Sequence, residues 1–177
     1  RLRLLRSHGV TRDPSLMDEA THGPWYYQQV ELGYNYRITD IQAALGKSQL
    51  DRLDEFIARR RQLARNYDEL LGGLPVVLPW QRPAANSAWH LYVIRVPGGG
   101  RRSRDEVFAS LRENGILVNV HYIPVHTQPH YRKLGFHAGD FLEAESYYAE
   151  AISLPMYFGL KEGDQERIAE QLSSALA

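Results

Sequence analysis

Cysteine is absent from the 177 residues, which removes disulfide frameworks, thiolate metal sites and cysteine nucleophiles together. Lysine is scarce: of 21 basic residues only Lys47, Lys133 and Lys161 are not arginine, so few side chains can offer a neutral amine as nucleophile. The formal net charge is zero, and no overall basic field draws the chain to nucleic acid or to an anionic membrane. No apolar run approaches the roughly 20 residues a spanning helix requires. The opening stretch RLRLLRSHGV lacks the apolar core and cleavage site of a signal peptide, and a cytoplasmic protein is expected. The phosphate-cradling GxxxxGK[ST], the GxSxG elbow and a strand-borne GxGxxG are missing too.

What is present is a globular composition, 44% hydrophobic and 24% charged, that can build one sizeable core. Residues 1–8 read as a helix tail stopped by Gly9. That stretch reads like the second half of a helix, so the chain is expected to be a piece of a longer protein. Residues 9–37 have neither a 3.6-residue nor a 2-residue period, yet carry Trp25, Tyr26, Tyr27, Tyr34 and Tyr36; a long aromatic loop of this kind is usually functional. At Thr39 a capping box with Gln42 opens a helical pattern that continues to Gly72-Gly73. One helix of some 30 residues would be roughly 45 Å long, suited to bridging domains or subunits. AWHLYVIRV reads as a strand, SRDEVFASLRENG as a helix capped by Ser103 and Glu106, and ILVNVHYIPV as a second strand. Residues 140–153 and 163–176 read as amphipathic helices. The expected fold class is α/β, or α+β within this chain, with parts at 1–38, 39–72 and 73–177.

Three constellations could carry chemistry. Asn35 and Arg37 lie just before a helix start, where anions are favoured. An amide and a guanidinium there could grip a phosphate, or simply support a turn and face solvent. VNVHYIPVHTQPHY holds His121, His126 and His130, but prolines interrupt it and it contains no carboxylate, so no metal site is expected. It is either a ligand-lining segment or a set of buried polar residues in a turn. Arg59, Arg60 and Arg61, with Arg65 and the stretch GGGRRSR, read as a solvated helix face and a loop tip without a base-stacking platform.

Taken together, ELGYNYRITDIQAALGKSQLDRLDEFIARRR, AWHLYVIRV, LRENGILVNVHYIPVHTQPHY and AISLPMY resemble the C-terminal part of the sugar aminotransferases of the DegT/DnrJ/EryC1/StrS family, leaning to the pseudaminic-acid branch. The resemblance implies a small C-terminal domain and long interdomain helix of the aspartate-aminotransferase-like fold, in a homodimer with shared active sites. It implies pyridoxal 5'-phosphate as cofactor and transfer of an amino group, typically from glutamate, to C4 of a UDP-linked 4-keto-6-deoxy-N-acetylhexosamine. By that resemblance Asn35, helped by Arg37, reaches the cofactor phosphate of the partner subunit. Val120, His121, Tyr122 and Ile123 line the sugar nucleotide.

The resemblance also places the Schiff-base lysine upstream of Arg1, so the chain is expected to contribute no catalytic lysine and to be inactive alone. Two alternatives stay open. One is a dehydratase of the same family, in which histidine replaces that lysine. The other is a non-catalytic dimerisation or sugar-nucleotide-binding module.

Overall fold

The helical pattern beginning at Thr39 is realised in two pieces. In the computed structural model, which describes residues 1–20 and 23–177, α2 runs Asp40–Leu50 and α3 runs Leu53–Leu71, not one continuous helix. At the junction the N–H groups of Asp51 and Arg52 both reach back to the Gln49 carbonyl, that of Asp51 also to Lys47, so the last turn tightens and the ladder ends. The two pieces differ in packing. α2 buries no residue, and Ile41 is 83% exposed; α3 buries Leu63, Ala64, Tyr67 and Leu71 on one stripe, the interaction that sustains most protein helices. The chain divides into two compact units, Arg1–Arg52 and Leu53–Ala177, with the boundary at this break.

In the first unit, α1 (Leu2–Leu5) is followed by a short antiparallel ribbon of β1 (Val10–Thr11) and β2 (Gln28–Gln29), with Val10 opposite Gln29. The ribbon lies in the stretch expected to be loop; with two residues per strand it is too short to leave a period-2 signal. The Thr39–Gln42 capping box forms as expected, each partner satisfying the other's backbone N–H.

The second unit is built on β3 (Tyr92–Arg95) and β4 (Ala151–Leu154), antiparallel, with Tyr92 opposite Leu154 and Ile94 opposite Ile152. Single backbone pairs extend this ribbon on both edges, Val77 with Arg95 and Asn119 with Ser153. Tyr92, Ile94, Ile152 and Leu154 point into one core with Leu63, Tyr67 and Leu71 of α3. The core is completed by Val107 and Leu111 of α4 (Arg104–Glu113) and Ile168 and Leu172 of α7 (Glu162–Leu176). Gln165 of α7 is fully buried but satisfied, donating to the Leu63 carbonyl at 2.8 Å and accepting from Asn66, as a buried amide must be. Ser103 and Glu106 cap α4 as expected.

Two strand assignments shift. After the short α5 (Pro129–Arg132), helix α6 (Leu142–Glu150) stops at Glu150, and Ala151–Leu154, of which residues 151–153 were expected to end a helix, is β4. All four of its residues are buried, and a short apolar run covered on both faces has no period to separate strand from helix. ILVNVHYIPV, expected to be a strand, pairs only at Asn119; beyond it Tyr122 is 71% exposed. The arginine run is also not a solvated face. Arg59 donates to the Leu160 carbonyl, Arg60 to those of Trp89, His90 and Met156, and Arg61 to those of Asn86 and Ser87. Three guanidiniums thus tie α3 to the segments that enter β3 and leave β4.

Candidate functional site

Asn35 is presented by a close crossing of two chain segments in the first unit. Beyond α1, His8 and Gly9 take left-handed backbone angles, φ 62° and 71°, and turn the chain. Gly33 then passes directly over that turn: a Cβ on Gly33 would lie 2.2 Å from the Gly9 nitrogen, and one on Gly9 would overlap the Glu31 carbonyl. Only glycine permits such an approach. The crossing lets residues 34–36 pair with 5–8. The Tyr34 N–H donates to Leu5 O, His8 N–H to Tyr34 O at 2.9 Å, and Tyr36 N–H to Arg6 O at 2.9 Å.

In this extended stretch side chains alternate. Tyr34 and Tyr36 stack with ring centroids 5.0 Å apart, and Asn35 points the other way. Both Asn35 and Arg37 are exposed, and among the described residues their side chains form none of the observed hydrogen bonds or ion pairs. The capping box already satisfies the Thr39 and Gln42 N–H groups, so an anion here would be held chiefly by the amide and the guanidinium rather than by the start of α2. A neutral donor next to a permanent cation is a donor set that fits a phosphate.

Val120, His121, Tyr122 and Ile123 lie in the second unit, just past the edge pair that Asn119 makes with Ser153. The two backbone bonds of that pair are 3.2 and 2.7 Å long. The Asn119 side-chain oxygen accepts from the Val120 N–H at 2.8 Å, which turns the chain out of the ribbon. His121 Nδ1 lies 2.8 Å from Ser153 Oγ, and the His121 and Tyr122 rings meet edge to face at 4.5 Å. Tyr122 and Ile123 are open to solvent.

The other histidines have separate partners. His126 is buried, and its Nε2 lies 2.7 Å from Glu145 Oε1. The Gly139 N–H donates to the same oxygen at 2.7 Å, and these two bonds, His126 first, hold the Glu145 carboxyl below its usual range. His130 packs edge-on to Tyr131. The three imidazoles do not converge, and no group of three or more metal-ligating side chains is assembled among the described residues. Ser153, Asn119 and Glu145 had no signal in the sequence: Ser153 lies inside a strand read as helix, and Glu145 is 19 residues from its histidine.

The two groups of residues thus belong to different units, an amide and a guanidinium in the first, an imidazole and a phenol in the second. A family model for the DegT/DnrJ/EryC1/StrS aminotransferases matches residues 1–173. The chain belongs to that family. Among DegT/DnrJ/EryC1/StrS relatives, the spore coat polysaccharide biosynthesis protein SpsC of Bacillus subtilis is 34% identical over 174 residues, 96% of this chain and 44% of SpsC. Spr1654 of Streptococcus pneumoniae, assigned as a sugar aminotransferase and solved in its PMP form, superposes with a TM-score of 0.85 at 30% identity over 98% of this chain and 43% of its own. PseC of Helicobacter pylori, an aminotransferase of pseudaminic acid biosynthesis, gives a TM-score of 0.84 at 27% identity over 99% of this chain and 45% of PseC. The chain therefore spans less than half the length of these relatives, and its fold is that of the sugar aminotransferases. No described helix is long and apolar enough to cross a membrane.

Proposed function

We propose that these residues serve a pyridoxal 5'-phosphate-dependent transaminase acting on a nucleotide-linked keto sugar. The observation that carries the reading is the exposed, unpartnered pair Asn35 and Arg37 on a segment fixed by Gly33 and three backbone bonds. In this reading the Asn35 amide donates to the cofactor phosphate in a partner subunit and Arg37 adds charge. When bound, the cofactor supplies the electron sink through which an amino group is carried.

Val120, His121, Tyr122 and Ile123 border the sugar nucleotide, the aromatic and aliphatic groups excluding water while the imidazole fixes orientation. The amino donor is glutamate and the acceptor is C4 of a UDP-linked 4-keto-6-deoxy-N-acetylhexosamine, as in pseudaminic acid or related biosynthesis. The reading assigns none of Lys47, Lys133 or Lys161 to the site. A homodimer with shared sites is supported by the row Ile38, Ile41 and Leu45, which stays exposed along the start of α2.

The test is to supply the native protein with pyridoxal phosphate, glutamate and the UDP-linked 4-keto sugar, and to follow the new C4 amine by mass spectrometry. Formation of the aminosugar with equimolar 2-oxoglutarate supports the reading. Loss of the C3 hydroxyl instead would assign the dehydratase chemistry, and no turnover of a cofactor-loaded protein would refute both.

A further inference from the structure

We infer that Asn119 and Ser153 hold His121 as the Nδ1–H tautomer, so that the ring offers Nε2 as a hydrogen-bond acceptor to a hydroxyl of the substrate. The inference rests on the substrate-lining role proposed for His121. It begins at the Val120 N–H, which can only donate. Its bond to the Asn119 side chain at 2.8 Å fixes that atom as the carboxamide oxygen, and the NH2 end is therefore the one that faces the imidazole.

Asn119 Nδ2 lies 3.5 Å from His121 Nε2. An amide NH2 only donates, so a neutral ring in this place carries its lone pair on Nε2 and its proton on Nδ1. The Nδ1–H then donates to Ser153 Oγ at 2.8 Å. Ser153 by itself would not decide the matter, since a hydroxyl accepts or donates; Asn119 does. Both groups are held by the backbone pair between residues 119 and 153, and Ser153 is buried in β4. Orientation of an imidazole through the partner of its other nitrogen is the usual way such a ring is assigned a role.

The bond from Asn119 sits at the long limit of hydrogen bonding, so a better donor can replace it at Nε2. That donor is a hydroxyl, which the sugar of a sugar nucleotide provides; an ionised phosphoryl oxygen, which only accepts, does not suit this face of the ring. Asn119 and Ser153 are thus positioning residues that act through His121.

The experiment is a long-range proton–nitrogen correlation spectrum of the native protein near neutral pH, with His121 assigned by loss of its signals in His121→Gln. A pyrrole-type Nδ1 and pyridine-type Nε2 are expected, and the opposite pattern overturns the inference. Asn119→Asp keeps an acceptor for the Val120 N–H but places a second acceptor before Nε2. The ring should invert to the Nε2–H form, with Ser153 now donating to Nδ1. Retention of Nδ1–H with Nε2 still unprotonated in that variant overturns the role of Asn119. Asn119 is exposed, so folding is not at stake there. Ser153→Ala should give a mixture of tautomers, and an unchanged spectrum overturns the role of Ser153.

UDP-N-acetylglucosamine, added as probe, should shift Nε2 without protonating it; protonation overturns the acceptor role. No response at either nitrogen overturns the hydroxyl contact together with the substrate reading beneath it. The tautomer, read without ligand, separates that failure from a wrong assignment of the ring.

Discussion

Replacing Arg60 by methionine keeps most of the side chain's apolar stem and removes one charged donor group. In the protein a single terminal nitrogen of Arg60 reaches the carbonyls of Trp89, His90 and Met156 at 3.0, 3.0 and 3.1 Å. That nitrogen carries two hydrogens, so the three contacts amount to two full hydrogen bonds, one of them shared. Bonds from a charged donor contribute about 1.5–3 kcal/mol each. The His90 contact is exposed, and water can take over part of what is lost. A net loss of ~2–3 kcal/mol follows once the lower end is taken for both bonds.

With an m value of ~2 kcal/mol/M, that corresponds to a urea midpoint lowered by about 1 M. The assay is urea unfolding followed by tryptophan fluorescence, to which Trp80 and Trp89 of the second unit contribute. Arg60→Lys should recover part of the loss, because an ammonium also offers its hydrogens from one terminal nitrogen, but not all of it, since the lysine side chain is one atom shorter. Arg65→Met is the control: Arg65 is exposed on the same helix, and its loss should move stability by less than about 0.5 kcal/mol. Equal midpoints for Arg60→Met and Arg65→Met would refute the tethering role and restore a solvated arginine face.

Further outcomes follow from other parts of the structure. Gly33→Ala should unlatch residues 34–36 from 5–8, because the added carbon meets backbone atoms that cannot rotate away. Limited proteolysis should then cut within residues 9–37 far faster than in the parent, and equal rates would show that the crossing is not tight. Glu145 has a folded-state pKa lowered by its bonds from His126 and Gly139, so its contribution is present above the ordinary glutamate range and is lost as pH falls through the lowered folded value. Amide exchange in residues 124–145 should therefore rise on acidification below that ordinary range, and Glu145→Gln should weaken this dependence; an unchanged profile in the variant would discount the pair. The 177-residue chain supplied with pyridoxal phosphate and glutamate should produce no 2-oxoglutarate, and turnover would show that one of its own three lysines serves.

The capping boxes at Thr39–Gln42 and Ser103–Glu106 were legible because their signals are local and their spacing is fixed by the first helical turn. The core stripe of α3 was legible for the same reason, three to four residues per turn. The break after Leu50 was not, because neither Asp51 nor Arg52 is a helix breaker of the glycine or proline kind, and the two helices differ chiefly in burial, of which α2 has none. β4 was misread because AISL is buried on both faces.

The site residues divide in the same way. Asn35 and the 120–123 segment came from a resemblance spread over several motifs; the bare spacing favoured a turn over a phosphate grip at Asn35 and Arg37, and left a ligand-lining segment and a polar turn level at 120–123. What the sequence could not show was the support beneath them. Gly33 acts by closeness to Gly9, 24 residues away, and Ser153 by a hydrogen bond across 32 residues; neither relation has a period or a motif.

The affinity of the native protein for pyridoxal phosphate, compared with that of its Asn35→Ala form, tests the phosphate-gripping role most directly. Loss of one hydrogen bond to a charged group, about 1.5–3 kcal/mol, predicts a dissociation constant raised roughly 10- to 150-fold, with the fold unchanged by circular dichroism. An equal dissociation constant in the two proteins would contradict the assignment of Asn35 to the cofactor phosphate.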